Sequence, residues 1–159
     1  MTVGFNKGSF QDGTIMIEDP RRVSICSIRT KTIAAVLEQL IRQGEEKPFD
    51  RFDQTGFWRY LVVRESERMG EVLVLVVAAD KNIEANKLTT LQSEMIELFK
   101  KSIVGLTGMC FMGYNGNSDS IPIEMPLVLW GNGYYHEKIL GNTFRVSSSA
   151  FLQGHTEMC

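Results

Sequence analysis

A cluster of aromatic and basic residues combines two chemistries that nucleic-acid-binding proteins use. Segment 57–60 reads Phe-Trp-Arg-Tyr, and Arg64 and Arg68 follow it. In a β-strand, Trp58 and Tyr60 would share one face and Arg59 the other, because successive side chains alternate between the two faces. Aromatic rings on a sheet can stack on bases while arginines bind phosphates. The alternative is a sheet with aromatic residues in the core and solvated arginines, which the residue types alone favour.

Motifs for catalysis are absent from the sequence. No glycine-rich turn follows a strand and opens a helix, so no cradle for a nucleotide-like cofactor is visible. No serine or cysteine lies in a nucleophile motif. The acidic residues are spread along the helices and loops, which predicts that they lie on solvent-exposed faces and form no catalytic pair. His136 and His155 have no metal-ligating partners at a suitable spacing. The sequence therefore predicts neither a catalytic residue nor a metal site.

The cysteines argue against a disulfide-stabilised domain, and the net charge argues against a domain that binds nucleic acid without help. Cys26, Cys110 and Cys159 form no close pair, so no disulfide framework is predicted, and the first two are expected to pack in the core. The net charge is -2, whereas proteins that bind nucleic acid alone usually carry a basic excess. Either the chain has no nucleic-acid role, or its basic residues cluster on one face, or neighbouring domains supply the phosphate contacts.

The hydrophobic pattern predicts an α+β domain over residues 1–147, with residues 148–159 as a junction or tail. Strands are expected at 2–5, 14–18, 57–65, 71–79, 105–114, 134–139 and 143–147, an extended segment at 122–130, and helices at 30–44 and 84–102. Thr30 is the expected N-cap of the first helix and Gly44 its stop. Two helices would cover one face of a mainly antiparallel sheet that has strands 57–65 and 71–79 in its middle and 143–147 closing it. No apolar run is long enough to span a membrane, so no membrane partner is expected.

The last strand segment carries the most specific pattern. Residues 135–153 read Tyr-His-Glu-Lys-Ile-Leu-Gly-Asn-Thr-Phe-Arg-Val-Ser-Ser-Ser-Ala-Phe-Leu-Gln. This resembles the segment leading into the catalytic domain of the RNA (uracil-5-)-methyltransferases: a Glu, a Gly soon after, then Phe-x-Ile/Val-Ser-Pro-x-Ala-Phe-Phe-Gln-Val-Asn. Segments 3–14, 55–64 and 71–74 match further stretches of that family in order, nearest to its tRNA-modifying animal members. Ser148 departs from the pattern where the family usually has Pro, and Gly-His at 154–155 departs from Val-Asn.

The resemblance implies the central domain of a tRNA (uracil-5-)-methyltransferase, with tRNA as its partner and S-adenosylmethionine as the cofactor of the full-length enzyme. In that family a cysteine adds to uracil C6, and a base later removes the C5 proton. Both residues and the cofactor loop follow the Phe-x-Gln segment. The resemblance therefore predicts a fragment that binds no cofactor alone and is inactive by itself.

Few site residues can be carried over from the family. The resemblance places Phe151 beside the flipped base, although a hydrophobic residue at a domain junction explains it equally well. Gln153 aligns with the glutamine that contacts the cofactor and base region. Arg59, Arg64 and Arg145 are the expected RNA contacts.

A different class of function stays open at this point. The chain could be a non-catalytic interaction domain that binds a protein or self-associates through a sheet edge or an exposed domain junction, since uncovered apolar patches associate. An intracellular location is expected in either case, in the cytoplasm or nucleus rather than the mitochondrion.

Overall fold

The computed structural model describes residues 1–7, 16–118, 121, 124–150 and 152. The chain runs through β1 (Phe5–Lys7), β2 (Met16–Glu18), a short 3-10 turn (Pro20–Arg22), α1 (Ile28–Gln43), β3 (Trp58–Ser66), β4 (Glu71–Ala78), α2 (Ala85–Ser102), β5 (Leu106–Gly113), β6 (Leu127–Gly131), β7 (Tyr134–Ile139) and β8 (Asn142–Ser147). Among these described residues, no helix is long and apolar enough to cross a membrane.

Helix α1 begins one turn earlier than the sequence pattern predicted. Ser27, not Thr30, is its N-cap: the Ser27 Oγ accepts a hydrogen bond of 2.9 Å from the Thr30 amide. The expected N-cap was wrong because serine and threonine are both good capping residues and stand three positions apart. The Thr30 hydroxyl instead donates to Glu65 on β3. The helix ends at Gly44, as predicted.

The main sheet has four strands in the order β3-β4-β5-β6. Its outer pairs, β3–β4 and β5–β6, are antiparallel, whereas β4 and β5 are parallel because α2 forms the crossover between them. The α+β class is confirmed. The β3–β4 hairpin was expected in the middle of the sheet; this was wrong, because β3 is an edge strand.

Strand β4 is buried on both faces and divides two hydrophobic cores. Val72, Val74 and Val76 pack with α1, α2 and Phe111, so the two helices share one face of the sheet. Leu73, Leu75 and Val77 point to the opposite face. This arrangement explains the unbroken apolar run of β4, which predicted a strand covered on both sides.

The β7–β8 hairpin covers the second face of the main sheet. Strand β8 was expected to close that sheet, but it pairs with β7 in a separate two-stranded sheet. Tyr135 and Val146 from this hairpin complete the second core, where Ala150 and Leu152 also pack. The chain thus continues along the domain beyond residue 147, and the domain boundary predicted there stays a prediction.

Candidate nucleic-acid interface

The hairpin with the most specific sequence pattern has two chemically different faces. Its register pairs Tyr135 with Val146 and His136 with Arg145. Tyr135 and Val146 are buried against the main sheet. Since side chains alternate along a strand, the opposite face carries the neighbouring positions. That face is formed by Tyr134, His136, Lys138, Thr143, Arg145 and Ser147.

Three side chains of this outer face contact one another. The Arg145 guanidinium lies over the Tyr134 ring, with its Cζ 4.8 Å from the ring centroid. The Tyr134 and His136 rings meet edge to face at a centroid distance of 5.4 Å. A guanidinium on an aromatic face is held by the ring quadrupole. The contacts place a cation and two aromatic rings side by side, and Lys138 and Arg145 are both exposed.

His136 is held by Glu71, at the start of β4. Its backbone amide donates to the Glu71 Oε2 at 2.7 Å, and its Nδ1 lies 3.1 Å from Oε1. A carboxylate only accepts, so the Nδ1 carries the hydrogen. The Nε2 has no protein partner among the described residues. The imidazole is therefore fixed in orientation while one ring nitrogen is available.

The inner face of the hairpin contains a buried carboxylate. Glu137 is 3% exposed, and its Oε1 accepts hydrogen bonds of 2.9 Å from the Ser66 hydroxyl and from the Lys138 amide. The same Ser66 hydroxyl accepts from the Met69 amide in the β3–β4 turn. Glu137 is the glutamate of the sequence pattern, and its contacts join the hairpin to the end of β3.

Arg59 is enclosed by protein groups at the edge of the main sheet. Its Nη1 donates to the carbonyls of Tyr114 and Gly116 at 2.9 and 2.7 Å. The Arg59 Cζ lies 4.2 Å from the Phe49 ring centroid and 4.4 Å from that of Tyr114. These contacts fix the segment after β5 against β3, and they occupy donors that a phosphate contact would need.

Arg64 also donates to backbone carbonyls. Its Nη2 lies 3.2 Å from the Ala150 oxygen and its Nη1 lies 3.4 Å from the Leu152 oxygen. These two carbonyls flank position 151, where the resemblance places a base contact. Of the three arginines expected to bind RNA, Arg145 has the most exposed position, whereas Arg59 and Arg64 brace the backbone.

The other residues singled out in the sequence are two predicted base and cofactor contacts and the cysteines. Phe151 and Gln153 lie outside the described residues. Cys110 is fully buried, as expected for core packing, and Cys26 is partly buried. Burial raises the pKa of the Cys110 thiol. In the part of the chain that the structure describes, no three His, Cys, Asp or Glu residues are grouped to hold a metal ion.

The structure also has a cleft of about 540 Å³ beside β3. The N-terminal segment, α1 and the outer edge of β3 form its walls, with Leu37, Ile41 and Trp58 among the apolar residues that line it. Arg59 and Asp50 also line this cleft. The residues of the β7–β8 hairpin do not, so the cleft and the outer face of the hairpin are separate features.

Sequence reasoning named Arg145 but missed Tyr134, Lys138 and the ring of His136. The signal was available, because these side chains alternate with the buried Tyr135 and Glu137 in a strand whose bounds were predicted correctly. The cross-strand partner of each residue required the register of the hairpin, which the structure supplies.

The chain is similar to curated RNA methyltransferases over nearly its whole length. It is 25% identical to the tRNA (uracil-5-)-methyltransferase homolog A of Mus musculus, over 98% of this chain and 26% of that protein. The human homolog B is also 25% identical, over 98% of this chain and 31% of its own length. An uncharacterized RNA methyltransferase of Caldanaerobacter subterraneus is 28% identical, over 92% of this chain and 31% of its own length. No family model matches the chain.

The fold is also found in a solved structure. A crystal structure of the Pyrococcus abyssi tRNA (uracil-54, C5)-methyltransferase, in complex with S-adenosyl-L-homocysteine, matches with a TM-score of 0.67 at 16% identity. The match covers 91% of this chain and 33% of that one. The predicted resemblance is therefore confirmed, and the chain spans between a quarter and a third of the length of these curated relatives.

Proposed function

We propose that this chain is the central domain of an S-adenosylmethionine-dependent tRNA (uracil-5-)-methyltransferase, that it helps to position tRNA, and that it transfers no methyl group by itself. The observation that carries the proposal is the alignment of 98% of the chain with proteins that bear this name. The β7–β8 hairpin adds support, because it joins the family's sequence pattern to an exposed aromatic and basic face.

The chemistry of uracil C5 methylation explains the expected inactivity. A nucleophile must first add to C6, because C5 alone attacks a methyl donor poorly, and a base must then remove the C5 proton. The sequence has no nucleophile motif, and the thiol of Cys110 is fully buried. The proposal therefore places the nucleophile and the base elsewhere in a longer enzyme.

The described residues do not fit S-adenosylmethionine. The parallel crossover from β4 to α2 is where an α/β fold would bind such a cofactor. Here residues 79–84 read Ala-Asp-Lys-Asn-Ile-Glu, without glycine. Without glycine, this junction lacks the close backbone approach that a glycine-rich cofactor loop provides. The proposed domain would thus act on the tRNA and not on the methyl donor.

A methyl-transfer assay tests the proposed inactivity. The purified 159-residue chain would be incubated with unmodified tRNA and methyl-labelled S-adenosylmethionine, beside an active tRNA (uracil-5-)-methyltransferase as the positive control. We expect no label in the tRNA above the level without protein. Incorporation of label at C5 of uridine by this chain would contradict the proposal.

Self-association is a second candidate function, favoured by one specific observation. Strand β6 lies at the edge of the main sheet, and Leu127 is 60% exposed there, with Met125 just before the strand 87% exposed. Exposed apolar residues beside a sheet edge favour pairing with another chain. Light scattering would give the mass of the chain in solution. A dimer whose mass does not change when tRNA is added would favour self-association. A monomer would exclude self-association.

A further inference from the structure

The outer face of the β7–β8 hairpin concentrates positive charge in a chain with a net charge of -2. Lys138 and Arg145 project from it and are exposed. The Arg68 guanidinium is anchored beside them, because its Nη1 donates to the Lys138 carbonyl at 2.8 Å. Glu71 contacts this face from the start of β4, and both of its oxygens contact His136. The charge of the face is therefore complementary to phosphate.

The aromatic groups on this face are suited to unpaired bases. The Tyr134 ring is partly exposed and has the Arg145 guanidinium on it. Bases stack on aromatic rings and on guanidinium planes, so the ring with its guanidinium forms one stacking surface, and the guanidinium N–H groups can bind an adjoining phosphate. The bases of a duplex are already stacked and paired, so a stacking contact of this kind selects single-stranded nucleotides.

His136 adds a group that can distinguish ribose. Its Nδ1 hydrogen is directed to Glu71, which leaves the Nε2 as an acceptor in the neutral ring. A ribose 2′-hydroxyl can donate a hydrogen bond to such a nitrogen, and deoxyribose cannot. The ring is also held by its edge-to-face contact with Tyr134.

We propose that Tyr134, His136, Lys138 and Arg145 form a subsite for a single-stranded segment of RNA, with a base stacked on the Tyr134–Arg145 pair and phosphates bound by Lys138 and Arg145. The inference rests on the proposed role in tRNA positioning and names the part of the RNA that this face would contact: a loop rather than a stem.

The test compares RNA probes and charge-matched variants of the full chain by fluorescence anisotropy. The probes are unfractionated tRNA, a short single-stranded oligouridylate, the same length of oligodeoxyuridylate and a blunt RNA duplex. The double substitution Lys138→Ala with Arg145→Ala removes two charges from the hairpin. The control, Lys47→Ala with Lys101→Ala, removes two exposed charges elsewhere. Circular dichroism and thermal melting would verify that each variant is folded.

We expect the hairpin variant to bind oligouridylate about tenfold or more weakly than the control, with a salt slope reduced by about 1.4, since each phosphate contact on a single strand contributes about 0.7. Tyr134→Ala should weaken binding at least about fivefold without changing that slope, and Tyr134→Phe should not. The oligodeoxyuridylate and the duplex should bind more weakly than oligouridylate.

Equal losses in the hairpin and control variants would overturn this subsite, even if tRNA still binds and the proposed function stands. A wild-type chain that binds oligouridylate through the hairpin but does not bind tRNA would contradict the proposed function and leave the subsite supported. Tighter binding of the duplex than of the single strand would contradict the assignment to a loop.

Discussion

The hydroxyl of Ser66 donates a 2.9 Å hydrogen bond to the carboxylate of Glu137, 71 residues further along the chain, and both side chains are buried. The contact joins the last residue of β3 to the middle of β7. It fixes the hairpin at one end while Tyr135 and Val146 anchor it in the core. The orientation of the outer face therefore depends on a polar contact on the inner face.

Replacing Glu137 with Ala should destabilise the domain by about 2–4 kcal/mol, because the Ser66 hydroxyl and the Lys138 amide would lose a charged acceptor. Urea denaturation followed by circular dichroism would measure the free energy of unfolding. Glu67→Ala, at an exposed position in the adjacent turn, is the control and should change stability by less than about 0.5 kcal/mol. A Glu137 variant as stable as the control would show that the buried contact contributes nothing.

Replacing Arg64 with Ala should release the backbone at 150–152, because the guanidinium bonds to two of its carbonyls would be lost. Hydrogen exchange measured by mass spectrometry should become faster in the peptide that contains these residues. Arg64→Lys should restore little of the protection, since an ammonium lacks the planar fork that reaches two carbonyls. Unchanged exchange, together with a salt slope for tRNA binding lower than that of wild type, would identify Arg64 as a phosphate contact instead.

Replacing Arg59 with Met should lower stability by about 1–3 kcal/mol, because the carbonyls of Tyr114 and Gly116 would lose a charged donor and the Phe49 ring its guanidinium. Thermal unfolding would measure the change. Lys47→Met, which removes a positive charge from an exposed position before β3, is the control and should change stability by less than about 0.5 kcal/mol. If Arg59→Met instead leaves stability unchanged and weakens tRNA binding, the predicted RNA contact of Arg59 is correct and the bracing role is not.

Cys110 should resist alkylation while the domain is folded, because the thiol is fully buried and burial raises its pKa. A raised pKa also means that the thiolate appears only at a higher pH than for an exposed cysteine. In a Cys159→Ser variant at pH 8, iodoacetamide should modify Cys26 first and Cys110 at least about 100-fold more slowly. Equal rates before unfolding in guanidinium would contradict the packing of this core.

The sequence predicted most elements because their signals are local. Strand β7 was predicted with its observed bounds, since the turn signals Gly131-Asn132-Gly133 and Gly141-Asn142 flank it. The two helices were located by apolar residues at three- and four-residue steps. The edge position of β3 and the separate β7–β8 sheet were not predicted, because strand pairing depends on contacts between distant segments.

The roles of the arginines could not be predicted from the sequence either, because their hydrogen-bond partners lie far away along the chain. The carbonyl acceptors of Arg59 lie 55 and 57 residues away, and those of Arg64 lie 86 and 88 residues away. Nothing local marks an arginine as bound to protein or available to RNA. Glu137 was singled out only as part of the family's sequence pattern, and its burial beside Tyr135 became known from the structure.

The most direct test of the central claim is an equilibrium titration of unfractionated tRNA with the wild-type chain between about 50 and 200 mM salt. A domain that positions tRNA should bind saturably, and the logarithm of its dissociation constant should rise linearly with the logarithm of the salt concentration. Absence of saturable binding at the lowest salt concentration, or an affinity independent of salt, would contradict the claim.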